Sequence, residues 1–579
     1  MVLEIVLAAL PLLVVAVLLV GLLWPATRAM PIAWIIALGV GFFAWNMPPD
    51  WLAAASITGV MTALEILWIV FGALLLLYTL MQAGAFDRIN QGFATISDDR
   101  RVQIVLLGFF LATFIEGAAG FGTPAAVVAP LLLGLGFPAL AAVIAAIIGH
   151  VIAVTYGAVG TPIIVGIQDP LASAGFQDEI AQGGYTVPEY STEVAAWAAT
   201  YHTLVGFVMP LFAVGMVVYF FGDRNERSLS PAWEVAPLCL ASGIAFAVPY
   251  WLSAWFFTAE FPSLIGSMVG GAIIVSVLKA GYLLPDSHWD FPPRSEWPSH
   301  WVGTIEPGEN GATTGRPNKA TATDGGIPSG PEMSLARAWS PYVLVVVLLV
   351  VTRAVGPISS FINRPAFIVE WQEILGTGIS GSIAWMNVPG FWLIVSAVLA
   401  IPIFGMSGGQ VSAAWREAGQ KIVSPLIALI FVIAMVQVMI NSGAHPGAPA
   451  GGSMIVVLAT ATADLLGPVY PAVAALIGAL GAAMAGSNTV SNITFGGFQF
   501  EAAQQLGLPT QIIVGAQAVG GAIGNLVAIH NVVAALATVG LVGQEGRVMR
   551  LNLIPLVYYS IFVGFWALLF SYVLFPSAF

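Results

Sequence analysis

Apolar runs long enough to cross a lipid bilayer recur from one end of this sequence to the other, and they leave the chain little choice of fold. "VLEIVLAALPLLVVAVLLVGLLW", "IVFGALLLLYTLM", "YVLVVVLLVV" and "VYYSIFVGFWALLFSYVLF" are examples, and several reach the roughly 20 residues that span hydrocarbon as a helix. Such segments must satisfy their own backbone polar groups, as helices do. With 59% of its 579 residues hydrophobic and 8% charged, the chain reads as an all-α polytopic membrane protein with about 12 or more transmembrane segments. A single anchor is excluded. The first segment is too long for a signal peptide, carries Glu4 near its start and lacks a small-residue cleavage site, so it is expected to remain in the mature protein. One cysteine, Cys239, excludes an internal disulfide and a cysteine-built metal centre. The net charge of −12 gives no reason to expect a nucleic-acid partner.

Lys and Arg in short loops are retained on the cytoplasmic side, whereas Asp and Glu hardly affect orientation. One set of loops carries Arg28; Arg88, Arg100 and Arg101; Arg224 and Arg227; Lys279, Arg294, Arg316, Lys319 and Arg337; Arg416 and Lys421; Arg547 and Arg550. The other set has Arg353 and Arg364 alone. Residues 168–194, with several acids and no Lys or Arg, are expected outside, as are both termini, in a multi-pass protein of the cell (plasma) membrane. The Gly-, Pro-, Ser- and Thr-rich stretch 286–336 reads as a flexible cytoplasmic linker. It separates a first half, 1–230, and an extra helix pair, 231–285, from a second half, 337–579.

The halves resemble each other in order. "MQAGAF" (81–86) matches "INSGAH" (440–445), "LGFP" (135–138) matches "LGLP" (506–509), and "IGHVIAVTY" (148–156) matches "IGNLVAIHN" (523–531). A short amphipathic stretch precedes each member of the first match, "WLAAASITGV" in one half and "VSAAWREAGQ" in the other. By loop charge, the core block 102–167 runs from inside to outside and the block 471–544 runs from outside to inside. Two inverted-topology repeats with discontinuous helices and re-entrant hairpins are therefore expected, an arrangement that places substrate where the repeats meet.

Glycine and proline clusters at membrane depth mark the breaks. In "FIEGAAGFGTP" a helix over about 102–115 should end, and a half-helix should begin near Thr123 with Pro124 in its first turn. The partner break is "AGSNTVSN". Two breaks meeting at the midplane aim free N–H groups and positive helix ends at one spot, which suits a small carboxylate. Candidate substrate-binding residues are Gly120, Gly122, Thr123, His150, Tyr156, Ser487, Asn488, Thr489, Ser491, Asn492, Asn525 and His530. Glu116 is the candidate for the coupling ion, carrying a proton or binding a cation; the alternative is a protonated Glu that only bonds across helices. His150 and His530 can donate to a carboxylate, titrate near neutral pH, or serve as packing hydrogen-bonders. Glu65 and Asp464 are expected near segment ends. "NIT" at 492 matches a glycosylation sequon, but its membrane depth argues against modification. No metal is expected, and no cofactor beyond a coupling H+ or Na+; association of identical chains is left open.

"FIEGAAGFGTPAAVVAPLLLGLGFPALAA", "YGAVGTPI", "RAWSPY" and "TVSN…EAAQQLG…GGAIGN…AALATVGLVGQE" resemble the L-lactate permease family, which also takes up glycolate and related 2-hydroxy monocarboxylates. The resemblance spans nearly the whole chain. It implies a secondary active symporter rather than an enzyme, importing a small monocarboxylate on a cation gradient, usually of protons. Family members carry "GSDTSSN", "GKMISPQS" and "NTAP" where this chain has "GSNTVSN", "GNLVAIHN" and "HVIA", so a family Asp becomes Asn488, a Lys becomes Asn525, and His150 is introduced. Loss of Asp and Lys together leaves the formal charge of the site unchanged, as removal of an ion pair would. An anion channel would share the broken helices but should show a polar or charged ring along its path. A membrane-embedded hydrolase using Ser487 and His530 would need a third group that the sequence does not supply.

Overall fold

The computed structural model describes residues 2–22, 24–94, 96–120, 122–172, 176–223, 227–305, 307, 333–541 and 543–579. Arg224, Arg316, Lys319 and most of the 306–332 stretch lie outside the described residues. The protein is almost entirely helical; the strands Val369–Trp371 and Gly381–Ile383 form one antiparallel ribbon. Among the described residues, 12 helices are long and apolar enough to cross a membrane.

Two of these helices form matching scaffolds. Pro49–Gln82 and Gly408–Asn441 are each 34 residues long, and they end at the "AGAF" and "SGAH" matches. They pack closely, with Gly59 against the Ala434 backbone, where a Cβ would lie 2.4 Å from the Ala434 Cα. The expected amphipathic stretch 51–60 is not a separate element, because nothing in it breaks the Pro49–Gln82 helix. Its counterpart ends at Ile422, after the helix Gly408–Lys421.

Each core block is a helical hairpin followed by a broken helix. In the first, Arg100–Ala119 is longer than the expected 102–115 and contains a π-helical stretch, Ile104–Leu111. After a break, Thr123–Gly134 returns to its starting end, where Arg100 Nη1 donates to Leu135 O at 2.6 Å and the guanidinium lies 5.6 Å from the Phe137 ring centre. In the second, Tyr470–Ala485 and Asn488–Gln505 close in the same way, with the Tyr470 hydroxyl donating to Gln499 Oε1 at 2.8 Å. Both hairpins then turn through a positive-φ glycine, Gly136 (99°) or Gly507 (63°), into a helix capped by Pro138 or Pro509. These are the "LGFP" and "LGLP" matches.

The hairpins open to opposite faces. The base of the first lies against the 286–305 segment, where Phe137 meets Phe291 at 5.0 Å. At the base of the second, Thr510 accepts from the Tyr190 hydroxyl at 3.0 Å and donates to the C-terminal Phe579 O at 3.2 Å. The broken helix Thr510–Thr538 joins these faces, because Gly540 just beyond it accepts from Thr304 N at 2.7 Å. The repeats also exchange partners. Thr123–Gly134 packs on Ile529–Thr538, and Asn488–Gln505 packs on Ile164–Gln168, so swapping the repeats reproduces the same contacts. The inversion expected from loop charge is thus a property of the packing.

Two further sequence expectations meet a different outcome. Residues 286–305 form a packed strap rather than a free linker. Arg101, fully buried, pairs with Asp99 at 2.7 Å and Glu234 at 2.9 Å and donates to Ser287 O, and Trp301 is buried. The Ser287 hydroxyl and amide, with Arg101, hold the Glu234 carboxyl well below the usual carboxylate range. Glu65 is not interfacial: it is buried in the middle of its helix and accepts from Ala384 N at 3.1 Å. Asp464 does sit exposed near the end of Met454–Leu466.

Helix crossings here depend on missing side chains. A Cβ on Gly149 would fall 1.7 Å from Gly108 O, and one on Gly524 would fall 2.3 Å from Ala479 O; these are the glycines of the matched "IGH" and "IGN". Gly108 itself has room, since its nearest neighbour would lie 3.4 Å away. Gly149→Ala is therefore expected to cost about 3 kcal/mol through forced separation of the helices. Gly108→Ala should be neutral or slightly stabilising, by at most about 1 kcal/mol. Thermal unfolding of both purified variants checks this asymmetry, and equal melting temperatures would refute the packing.

Candidate functional site

The break in the first hairpin is imposed by two glycines. Gly120 takes φ 60°, ψ −154°, a region essentially closed to side chains, and Gly122 is left-handed at φ 75°. A Cβ on Gly120 would lie 2.9 Å from Ala158 N, so this break rests directly on the one in the following helix. That second break is a 3-10 turn, Val151–Tyr156, followed by three consecutive left-handed residues, Ala158, Val159 and Gly160. For β-branched Val159, φ 56° is a true outlier, and each non-glycine residue there costs roughly 1–2 kcal/mol. In the second repeat, Gly486 turns at φ 72° and Ser487 caps the next helix, its Oγ accepting from Val490 N at 3.4 Å. The final helix breaks between Gly524 and Ile529.

The four breaks converge on one small polar cavity. Its lining includes Glu116, Gly120, Gly122, His150, Gly157, Pro162, Ser487, Asn488, Thr489, Asn525 and Asn531. The helices Thr123–Gly134, Asn488–Gln505 and Ile529–Thr538 all begin at its wall. Their positive dipole ends favour an anion there.

Glu116 and His150 face each other, with Oε2 and Nε2 4.0 Å apart and both side chains 5% exposed. His150 Nδ1 lies 2.6 Å from Ala146 O, which can only accept, so Nδ1 carries the hydrogen. The Nε2 lone pair of the neutral ring then points at Glu116, and one added proton can reside on either group. The carboxyl is held flat against Gly157, where a Cβ would come 2.3 Å from Oε1.

Opposite stands an amide cluster. Asn488 is 3% exposed, and neither its Nδ2 nor its Oδ1 has a hydrogen-bond partner within the protein. A buried amide unpaired at both ends is costly unless something else bonds it. Its Oδ1 presses on Gly521, where a Cβ would lie 1.9 Å away, and Asn525 donates to Gly521 O at 3.1 Å. Asn488 and Asn525 therefore meet over a single glycine. Asn531 donates to Asn525 Oδ1 at 2.6 Å.

Several sequence candidates stand behind this wall. Thr123 Oγ1 is spent on Gly120 O at 2.7 Å. The Tyr156 hydroxyl donates to Ala195 O, and its ring packs edge-on against Tyr250. Ser491 Oγ donates to Gly478 O at 2.7 Å, and Asn492 Nδ2 donates to the cavity-lining Pro162 O at 2.9 Å. His530 is half-buried beside the Gly486 turn, and no hydrogen bond joins it to Ser487. The sequence reading missed Asn531. In the matched segments it is the counterpart of Tyr156, and it reaches the cavity because the second repeat's helix restarts two residues before it.

Inverted hairpins whose tips meet at a polar cavity inside the membrane define a multi-pass membrane transport protein. The family model for L-lactate permease matches residues 4–574, and the chain belongs to that family. Over 564 residues it is 27% identical to the putative L-lactate permease of Haemophilus influenzae, covering 94% of each chain. It is 26% identical to the L-lactate permease of Bacillus subtilis (90% and 87% covered) and 25% identical to the glycolate permease GlcA of Escherichia coli (93% and 90%). Among solved structures, the Alcanivorax borkumensis YdaH transporter matches at 14% identity and a TM-score of 0.37, with 89% and 86% covered.

Because Asn525 and Asn531 share a hydrogen bond, their substitutions should not add. Asn525→Ala, Asn531→Ala and the double variant, compared by thermal unfolding without substrate, are expected to show a coupling of about 1 kcal/mol. Strict additivity would mean that the two amides act separately.

Proposed function

We propose that this protein is a secondary active symporter that imports a small monocarboxylate, L-lactate, glycolate or a related 2-hydroxy acid, together with a proton, by alternating access. The observation that carries the reading is the placement of the Glu116–His150 pair across one cavity from the unpaired Asn488 amide and from helix N-termini. A carboxylate entering this cavity is favoured by the helix ends and by the Asn488 and Asn525 amides, while a 2-hydroxyl finds amide oxygens as acceptors. An ionised Glu116 would repel it. Proton binding to the Glu116–His150 pair removes that repulsion, so the loaded states hold both proton and anion, and loss of the proton inside expels the substrate. Movement of one hairpin pair against the other then changes which face reaches the cavity. The basic loops mark the cytoplasmic face of the cell membrane, which leaves both termini outside. Na+ in place of H+ is the competing coupling ion.

One proton carried with one monoanion is electroneutral. Proteoliposomes should accumulate labelled lactate or glycolate under an inward proton gradient, about tenfold per pH unit at equilibrium, with no response to a valinomycin-imposed potential. Glu116→Gln is expected to abolish accumulation while retaining exchange of labelled for unlabelled substrate. Normal gradient-driven uptake by this variant would sink the assignment, and accumulation driven by sodium alone would replace the proton.

A further inference from the structure

A second polar cavity shares no lining residue with the first. It lies between the middle of the Pro49–Gln82 helix, the start of Asp169–Ala172 and the strand Gly381–Ile383, on the side of the acidic 168–194 segment. Thr58, Thr62 and Glu65 line it from one helix face, at positions i, i+4 and i+7. Glu65 is buried with 9% exposure, and Ala384 N bonds one of its oxygens. Asp169 lines the same cavity, close enough for the two charges to interact. Independently of these acids, Thr58 is 4% exposed and its Oγ1 has no hydrogen-bond partner among the described residues.

Glu370 also lines the cavity but is exposed and accepts from Gln372 Nε2 at 2.9 Å; the two less exposed carboxylates, Glu65 and Asp169, repel unless positive charge lies between them. The donors are all oxygens, which suits a hard cation. No group of three or more His, Cys, Asp or Glu able to hold a metal exists among the described residues, whereas divalent ions draw on larger carboxylate sets or tighter shells. A proton alone would settle the two acids but leave the buried Thr58 hydroxyl unsatisfied. We infer that Glu65, Asp169 and Thr58 form a binding site for a hard monovalent cation, Na+ by its oxygen donor set, on the outer approach to the substrate cavity. The helix bearing Glu65 and Thr58 also packs on Ala112–Ala119, which carries Glu116, and on the Gly157–Ile163 kink. An ion held there clamps this helix to Asp169 at the far end of the broken helix. The site stands whether or not transport is proton-coupled.

The test is equilibrium binding of ²²Na+ to the purified full chain in lipid nanodiscs at mildly alkaline pH, without substrate. Saturable binding is expected, weakened about tenfold or more by Glu65→Gln or Asp169→Asn and about fivefold by Thr58→Val. Glu65→Gln keeps an acceptor for Ala384 N–H, and thermal unfolding in choline chloride checks that each variant is folded. Glu116→Gln, in the other cavity, should bind as the parent does. Absence of saturable binding, wild-type binding by folded Asp169→Asn, loss of binding in Glu116→Gln, or displacement by micromolar Ca2+ or Mg2+ would each overturn the inference.

Discussion

A backbone N–H or C=O without a partner cannot be left facing hydrocarbon, and the rest of this structure follows from that constraint. Two hairpin tips and two broken helices lie at membrane depth, and each break exposes polar groups of that kind. The molecule hides them by bringing the breaks together: Gly120 rests on Ala158, and Asn492 takes up Pro162 O. Hairpins from opposite faces deliver the breaks to one depth, which is why the inverted repeat and the cavity are inseparable. A helix break is tolerable here only because another one faces it.

Holding the breaks in register demands rigidity elsewhere. The left-handed run at Ala158, Val159 and Gly160 costs several kcal/mol by itself. It persists because close helix contacts on either side leave it no room to relax, with Gly160 against Ala259 O and Gly149 against Gly108 O. Strain therefore lies next to the groups that bind, and the glycine-mediated crossings that oppose it lie one helix away. The 286–305 strap adds a polar clamp at one face, built on the buried Arg101 and its two acids.

Much of this was legible because glycine, proline and a lone carboxylate carry so much meaning inside apolar sequence. "EGAAGFGTP" announced both the break and the acid, and the collinear matches placed His150 opposite Asn525. Composition misled where packing decides. Glu65 looked interfacial because hydropathy does not show that a loop dips in to meet it through Ala384, and 286–305 looked flexible because its Gly and Pro content outweighed Trp289 and Trp301, the residues that dock it. Tyr156 was chosen over its counterpart Asn531 for its phenol. Side-chain length reversed that choice: the tyrosine reaches past the cavity to Ala195, while the shorter amide stops at its wall.

Neutral amides, and no fixed charges, stand at 488 and 525 over Gly521. An Asp and a Lys facing each other would neutralise one another and offer a substrate the lysine's fixed charge at the cost of a nearby repulsive acid. Two asparagines over Gly521 remove both terms and leave neutral dipoles, weaker individually but free of like-charge repulsion. Under the proposed symport, the positive counterpart of a bound carboxylate would come from the helix ends and from a proton near Glu116. That proton is shared by the Glu116–His150 pair, whose Oε2 and Nε2 stand 4.0 Å apart with Nδ1 of the histidine committed to Ala146 O.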